Sequence, residues 1–224
     1  VLYLFSTGIN RGLPFLLLPF LTTYLSNEEY GLLSLSLACI SILSIFFGFN
    51  PFIYLIAKFH KLTKKQLAKR LKHILYLTFI SCLFFGGLLI LLSDFFSNYG
   101  FVLQIIIFII LVALSRVLMS IGLVIFQMKK KAFEYFLLTL ALAIPLFGFI
   151  LVGIINLNFK WSFVLLAEAI IGMFLGIAII IFLFNKDYLK GKLKLNTFKE
   201  ILSFCIPLVP HVLAFTVINA VDRF

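Results

Sequence analysis

Acidic residues are scarce in this chain: eight Asp and Glu among 224 residues, against nineteen Lys and Arg. The eight are scattered, so no cluster of carboxylates is available to hold a catalytic metal, as phosphoryl or glycosyl chemistry in a membrane usually requires. Histidine numbers three and is equally dispersed. Cys39, Cys82 and Cys205 all fall inside apolar runs, which makes neither a disulfide framework nor a metal site. The sequence asks for no cofactor and no metal. A small-residue cleavage site is missing from the N-terminal run, which is as long as a full membrane span, so it does not read as a signal peptide. Val1 and Phe224 both lie in apolar runs, and the expectation is a fragment cut at both ends.

Apolar residues are what the chain has in abundance. They make up 63% of it, charged residues 12%, mean hydropathy is +1.20, and there are 29 Phe. A soluble domain is about half apolar and a quarter charged. Seven stretches each approach or exceed the ~20 residues that a helix needs to cross a bilayer. They are Val1 to Leu25, Gly31 to Ala57, Ile74 to Leu92, Phe101 to Met128, Tyr135 to Ile155, Trp161 to Phe184, and a seventh from near Ile201 to the end. Spanning strands would be half as long and alternate in polarity. The expected fold is therefore an all-α membrane protein, a polytopic helical bundle.

Fifteen of the nineteen Lys and Arg fall in three clusters: Lys58 to Lys72, Lys129 to Lys131, and Lys186 to Lys199. The loops on the other side, residues 26–30, 93–100 and 156–160, hold one Lys and three acids. That asymmetry is the positive-inside pattern, and it places the N-terminus in the cytoplasm. The net charge of +11 thus reads as anchoring to anionic lipid headgroups rather than as a nucleic-acid surface. Within the first cluster, Leu62, Leu67 and Leu71 interleave with the charges, which suggests an interfacial helix on the inner leaflet.

The seventh span enters from the same side as the first, so a second six-helix unit would run parallel to the first. Span one carries Pro14 and Pro19, and span seven Pro207 and Pro210. Proline removes a helix hydrogen bond, so both spans are expected to break or bend there. Pro19-Phe20-Leu21, Tyr24-Leu25 and Glu29-Tyr30-Gly31, and later Pro207-Leu208-Val209-Pro210 with Asp222-Arg223-Phe224, carry a family resemblance. The chain resembles the bacterial polysaccharide flippases, the O-antigen and capsule exporters of the multidrug/oligosaccharidyl-lipid/polysaccharide exporter superfamily. One departure is Thr23, where many relatives carry a basic residue.

The resemblance implies two six-helix bundles around a central cavity. It also implies movement of a polyprenyl-pyrophosphate-linked oligosaccharide between leaflets. Residues 1–184 would then be the N-terminal six-helix lobe, 185–200 a cytoplasmic linker, and 201–224 the first helix of the second lobe. The setting would be a bacterial inner membrane, and the partners membrane lipids, the lipid-linked sugar and other polysaccharide-assembly proteins.

Arg11 and Arg116 sit within apolar spans, ~21 Å and ~22 Å from the outer ends of theirs at 1.5 Å per residue. Charges at such depth are costly and mark functional sites. Two guanidinium forks at one depth suit a pyrophosphate; snorkelling or pairing with a carbonyl or carboxylate is the alternative. Glu168 lies ~10 Å below the outer surface. It shares a face with Gly172 and Gly176, and reads either as a structural partner for an Arg or as a proton or cation site. Asp222 and Arg223 fall near the outer interface and are further candidates. Gly8 and Gly12 form a small-residue pair suited to helix packing.

Two other functions compete with flipping. A multidrug exporter of the same superfamily would take organic cations, which an excess of arginine within the spans disfavours. A membrane-embedded sugar-phosphate or polyprenyl transferase would need the clustered metal ligands that are missing.

The charge asymmetry generates a direct test of orientation. In the protein expressed in cells, a cysteine placed at Lys65 should resist a membrane-impermeant thiol reagent added outside. Labelling of that cysteine in intact cells would reverse the orientation.

Overall fold

In the computed structural model, residues 2–98, 100–153 and 160–221 are described, and among them there is helix and no strand. Ten α-helices follow in order: α1 Leu2–Tyr24, α2 Asn27–Phe46, α3 Pro51–Lys58, α4 Lys64–Leu91, α5 Ser93–Ser97, α6 Leu103–Met128, α7 Ala132–Leu151, α8 Ser162–Asn185, α9 Leu195–Cys205 and α10 Val209–Val221. Five of these, α2, α4, α6, α7 and α8, are long and apolar enough to cross a membrane, and so is the joined stretch Leu195–Ile218. The 23-residue α1 has spanning length too, ~35 Å at 1.5 Å per residue. The chain is an all-α, multi-pass membrane protein.

The centre of the bundle is α6. It packs against α2, α3, α4, α7 and α8, and most extensively against α8. Glycine makes that last contact close. A Cβ on Gly172 would lie 2.5 Å from Ser115 Oγ, one on Gly176 3.0 Å from Leu118 Cδ1, and one on Gly122 2.8 Å from Ile179 Cδ1. Helices without a hydrophobic drive to associate in lipid gain their affinity from such close backbone approach. Around the seam Val112, Leu118, Ile121, Leu165 and Leu183 are fully buried or nearly so. By contrast, Gly8 and Gly12 meet no atom within 4 Å at their Cβ positions. They lie on an open apolar groove of α1 with Leu4, Phe5 and Leu16, and α1 packs chiefly on α7.

The second span differs from the single helix expected over residues 31–57. It begins earlier, at Asn27, with a capping box: Glu29 N–H donates to Ser26 Oγ and Ser26 N–H to Glu29 Oε2. The Glu29-Tyr30-Gly31 motif is thus the first turn of α2. The span then stops at Phe46 and restarts at Pro51. Between them Gly48, Phe49 and Asn50 all have positive φ, of 83°, 56° and 56°. Left-handed backbone costs ordinary residues energy, so three in a row persist only where the surroundings fix them. The fixing comes from α4. Gly48 N–H donates to Ser81 Oγ at 2.8 Å, and a Cβ on Gly48 would lie 2.6 Å from Thr78 Oγ1.

The basic segment after this span is not a separate interfacial helix. From Lys64 it is the start of α4, opened by a second capping box between Thr63 and Gln66. Leu67 and Leu71 are buried in the bundle rather than turned to lipid. The helix that carries them also packs on α9. Arg70 Nε donates to Tyr54 Oη at 2.6 Å, and Arg70 Nη2 forks onto both oxygens of Glu200 at 3.0 and 3.1 Å. Tyr54 Oη donates to Glu200 Oε1 at 2.9 Å, which closes a three-residue ring between α3, α4 and α9. Next to it, the buried His73 bonds through Nδ1 to Lys69 O and accepts Lys194 N–H at Nε2. At the neighbouring basic end, Lys129 Nζ sits 4.0 Å from the Tyr188 ring centroid. Burial first, then Lys64, Lys131 and Lys186, hold its ammonium pKa below the ordinary lysine range.

Proline acts differently in the two spans. Span seven is interrupted: α9 ends at Cys205, a 3₁₀ turn covers Ile206–Leu208, and α10 follows with Pro210 in its first turn. The α1 helix runs unbroken through Pro14 and Pro19, contrary to the expected break. Each isolated proline removes only one helix bond, the one its missing N–H would give to the carbonyl four residues before. The side chain of Pro14 is outside the described residues. A further proline, Pro145, lies inside α7 without ending it.

The α6–α8 seam carries a prediction. Gly172→Ala should lower the thermal midpoint of the detergent-solubilised protein by an amount corresponding to about 1–3 kcal/mol of overpacking. Ser115→Gly in the same protein should recover most of it. An unchanged midpoint for Gly172→Ala would show that the seam is not close-packed.

Candidate functional site

Arg116 lies at mid-length of α6, thirteen residues from Leu103 and twelve from Met128. Its side chain forms a two-pronged ion pair with Glu168 of α8. Nε to Oε1 is 2.6 Å and Nη2 to Oε2 is 3.0 Å. This fork-to-fork geometry is the strongest arrangement open to a guanidinium and a carboxylate. Glu168 can reach Arg116 because Gly172, one turn along α8, brings the two helices together. The carboxylate side chain is 11% exposed and the guanidinium side chain 36%.

The exposed part of Arg116 opens on a cavity of about 200 Å³. Ser41, Ser44 and Ile45 of α2 line it, with Asn50, Pro51 and Phe52 from the break and the start of α3. Val117 and Ser120 complete the α6 wall. The three serine hydroxyls donate to carbonyls of their own helices: Ser41 to Leu37 O, Ser44 to Ile40 O and Ser120 to Val117 O. They therefore present lone pairs, while Arg116 presents N–H groups. Asn50 is 5% exposed, and its enclosed Nδ2 has no hydrogen-bond partner among the described residues.

The expected candidates divide as follows. Arg116 and Glu168 are brought together. The side chain of Arg11 is outside the described residues, as are Asp222 and Arg223. The expected sharing of one cavity by Arg11 and Arg116 therefore lies outside the described residues. Pro207 and Pro210 lie at the span-seven turn, away from the cavity lining. Asn50 and the three serines were missed. The available signal was the Gly48-Phe49-Asn50-Pro51 run, since Asn-Pro and glycine mark turns even inside an apolar stretch. Among the described residues no group of three or more His, Cys, Asp and Glu gathers as metal ligands.

Breaking the pair from one side should be worse than removing it. Glu168→Leu strands a guanidinium, whereas the double replacement Arg116→Leu with Glu168→Leu leaves no charge to satisfy. Thermal unfolding in detergent should therefore rank the double variant above Glu168→Leu, with a coupling of about 0.5–3 kcal/mol in the mutant cycle. Additive effects of the two single changes would mean that the pair does not couple energetically.

Comparison with curated proteins and with solved structures returns no match. A family pattern, by contrast, matches the chain along its whole length. It is that of the polysaccharide biosynthesis protein family, and it covers residues 1–224. With the helical multi-pass fold around it, this match makes the chain a member of the polysaccharide biosynthesis protein family.

Proposed function

We propose that this protein is a transporter rather than an enzyme. Its cargo is an oligosaccharide repeat unit linked to a polyprenyl pyrophosphate, of the O-antigen or capsule kind. It moves that cargo from the inner to the outer leaflet of a bacterial plasma membrane. The observation that carries this reading is a guanidinium at mid-span, open to a mainly apolar cavity that three serines also line, in a membrane protein of a polysaccharide biosynthesis family.

The work of such a transporter is to give the charged head of the lipid a stopping place between the leaflets. Arg116 supplies it. In the state described, Glu168 occupies the Nε and Nη2 edge, and Nη1 bonds to nothing among the described residues. A pyrophosphate entering the cavity meets that free edge first. It then competes with Glu168 for the rest of the fork, because one guanidinium cannot give its bidentate edge to two anions. Glu168 thus serves as a placeholder that keeps Arg116 aimed and neutralised when no cargo is bound. Charging the pair in advance lowers the cost of holding an arginine at this depth.

The surrounding division of the chain follows from this reading. Residues 1–184 form a six-helix lobe with its N-terminus in the cytoplasm, 185–200 link it to the next lobe, and 201–224 begin that lobe. The basic ends hold anionic lipids, and other polysaccharide-assembly membrane proteins deliver and receive the cargo.

A complementation assay tests the assignment. Arg116→Ala should abolish surface polysaccharide without loss of protein from the membrane, and Arg116→Lys should retain part of it, because charge attracts where the fork no longer fits. Full complementation by Arg116→Ala at low expression would remove Arg116 from the transport path.

A further inference from the structure

The transport reading leaves the basic end of the bundle as a general anchor, yet the helices that meet there gather ammonium groups at one place. Helices α6 and α8 close in the same way. Lys131 N–H reaches back to Phe126 O, and Tyr188 N–H to Leu183 O, each at 2.9 Å. Both closures need a left-handed residue, where glycine is usual. Here it is Lys130 (φ 57°) in one and Asp187 (φ 62°) in the other. The residues before them, Lys129 and Lys186, cap the two helices. Lys129 Nζ crosses to the end of α8, 4.0 Å from the ring centroid of the buried Tyr188. From there the chain runs back along the early turns of α4. Lys72 Nζ donates to Gly191 O at 3.0 Å, and a Cβ on Gly191 would lie 3.4 Å from Lys69 Cβ. The first residue of α4 is Lys64. The half-buried Lys129 ammonium is opposed by its burial first and then by Lys64, Lys131 and Lys186, so these three stand close enough to repel it.

The described residues do not neutralise this group. Glu134 pairs with Lys131, and Asp187 with Lys190. Lys64, Lys129 and Lys186 have no carboxylate partner among the described residues. The negative dipole ends of α6 and α8 offset part of the charge on Lys129 and Lys186. Lys64 gains no such offset, because it lies in the first turn of α4, which holds no acid and where the dipole opposes a cation. One turn into the spans the surface changes. Phe126 and Phe182 lie three and four residues before the two capping lysines, with ring centroids 5.3 Å apart, and Phe184 is 71% exposed. The region is thus cationic at the helix ends and aromatic about 5 Å deeper.

We infer that this end of the bundle binds one anionic phospholipid, its phosphate held by Lys64, Lys129 and Lys186 and an acyl chain lying on Phe182 and Phe184. The inference rests on the reading that the basic ends face anionic lipid, and it involves neither the cargo nor Arg116. The aromatic step decides between a lipid and a free ion. Inorganic phosphate would engage the ammonium groups alone, whereas a phospholipid presents charge and chain at the two depths that the protein does. A choline headgroup brings its own cation to the lysines, so the net anionic lipids are selected.

Native mass spectrometry of the whole chain in detergent tests this, with dioleoylphosphatidylglycerol titrated against dioleoylphosphatidylcholine. The first copy of the glycerol lipid should bind in preference to the choline lipid. The triple variant Lys64→Gln, Lys129→Gln, Lys186→Gln should weaken that first step about tenfold or more, and Lys64→Gln alone, at an exposed helix start, about fivefold. A control triple variant, Lys61→Gln, Lys192→Gln, Lys199→Gln, removes equal charge from exposed lysines outside the group that repels Lys129, and should bind within twofold of the parent. Unfolding midpoints close to the parent's check that the variants are folded, and Lys64→Gln decides the matter if the triple variant is not. Displacement of the lipid by sodium phosphate at the lipid's own concentration assigns the site to a free ion and overturns the inference. Equal losses in the two triple variants overturn the site and leave the general reading of the basic ends standing. No loss in either, or equal binding of the choline lipid, overturns both.

Discussion

The rest of the bundle depends on one close approach, that of α6 and α8. Ordinary side chains would hold these helices apart; glycines at 122, 172 and 176 let them touch. That contact fixes the depth at which a carboxylate and a guanidinium meet, and the pair in turn makes an arginine tolerable in the middle of a span. Because α6 is also the helix on which α2, α3, α4 and α7 lean, an error in this seam would propagate to every wall of the cavity. Packing, electrostatics and site geometry thus have a common origin in three residues that lack side chains.

The interruption of the second span is the other departure from regular structure that the fold maintains by design. A membrane core gives unpaired backbone groups no water, so a break survives only where protein groups take over. Ser81 takes the Gly48 amide, and Ser81 in turn donates to Leu77 O at 2.7 Å, so that one hydroxyl serves both helices. Thr78 fills the space that a side chain on Gly48 would need. The break is therefore a joint property of α2 and α4, and it presents the start of α3 to the cavity.

Membrane class, helical fold and several approximate span ends were legible in the sequence, because the bilayer leaves only hydrophobic length and terminal charge to vary. Span six, read over 161–184, is the helix Ser162–Asn185. The exceptions share a cause. Hydropathy averages over a window, so the Gly48-Phe49-Asn50 turn vanished inside an apolar run, and Leu67 and Leu71 read as lipid-facing when they are buried in the bundle. Proline pairs looked alike at 14/19 and 207/210, yet only the second coincides with a change of helix type, since what a lost hydrogen bond does depends on neighbours that the local sequence does not reveal. The Arg116–Glu168 pair was half legible: both residues stood out, and a pairing of Glu168 with an arginine was one of two readings. The polar wall of Asn50 and the serines was not visible, because serine within spans is common and only the fold tells which ones face the same space.

The ring of Tyr54, Arg70 and Glu200 has a mechanical consequence. It clamps α9 to α3 and α4 at three points on three elements, and His73 adds a fourth through the backbone of Lys194. The start of the seventh span is thus bolted to the first part of the bundle, and the remainder, α10, is joined to it by the three residues of a 3₁₀ turn. Any tilt of α10 against α9 would turn about Ile206–Leu208 and slide over the contact of α10 with α2. With thirteen residues beyond it, α10 is a lever ~20 Å long. Rotation of about 10° at the turn would carry its far end by ~3 Å, roughly the width of a water layer, without disturbing a single bond of the clamp.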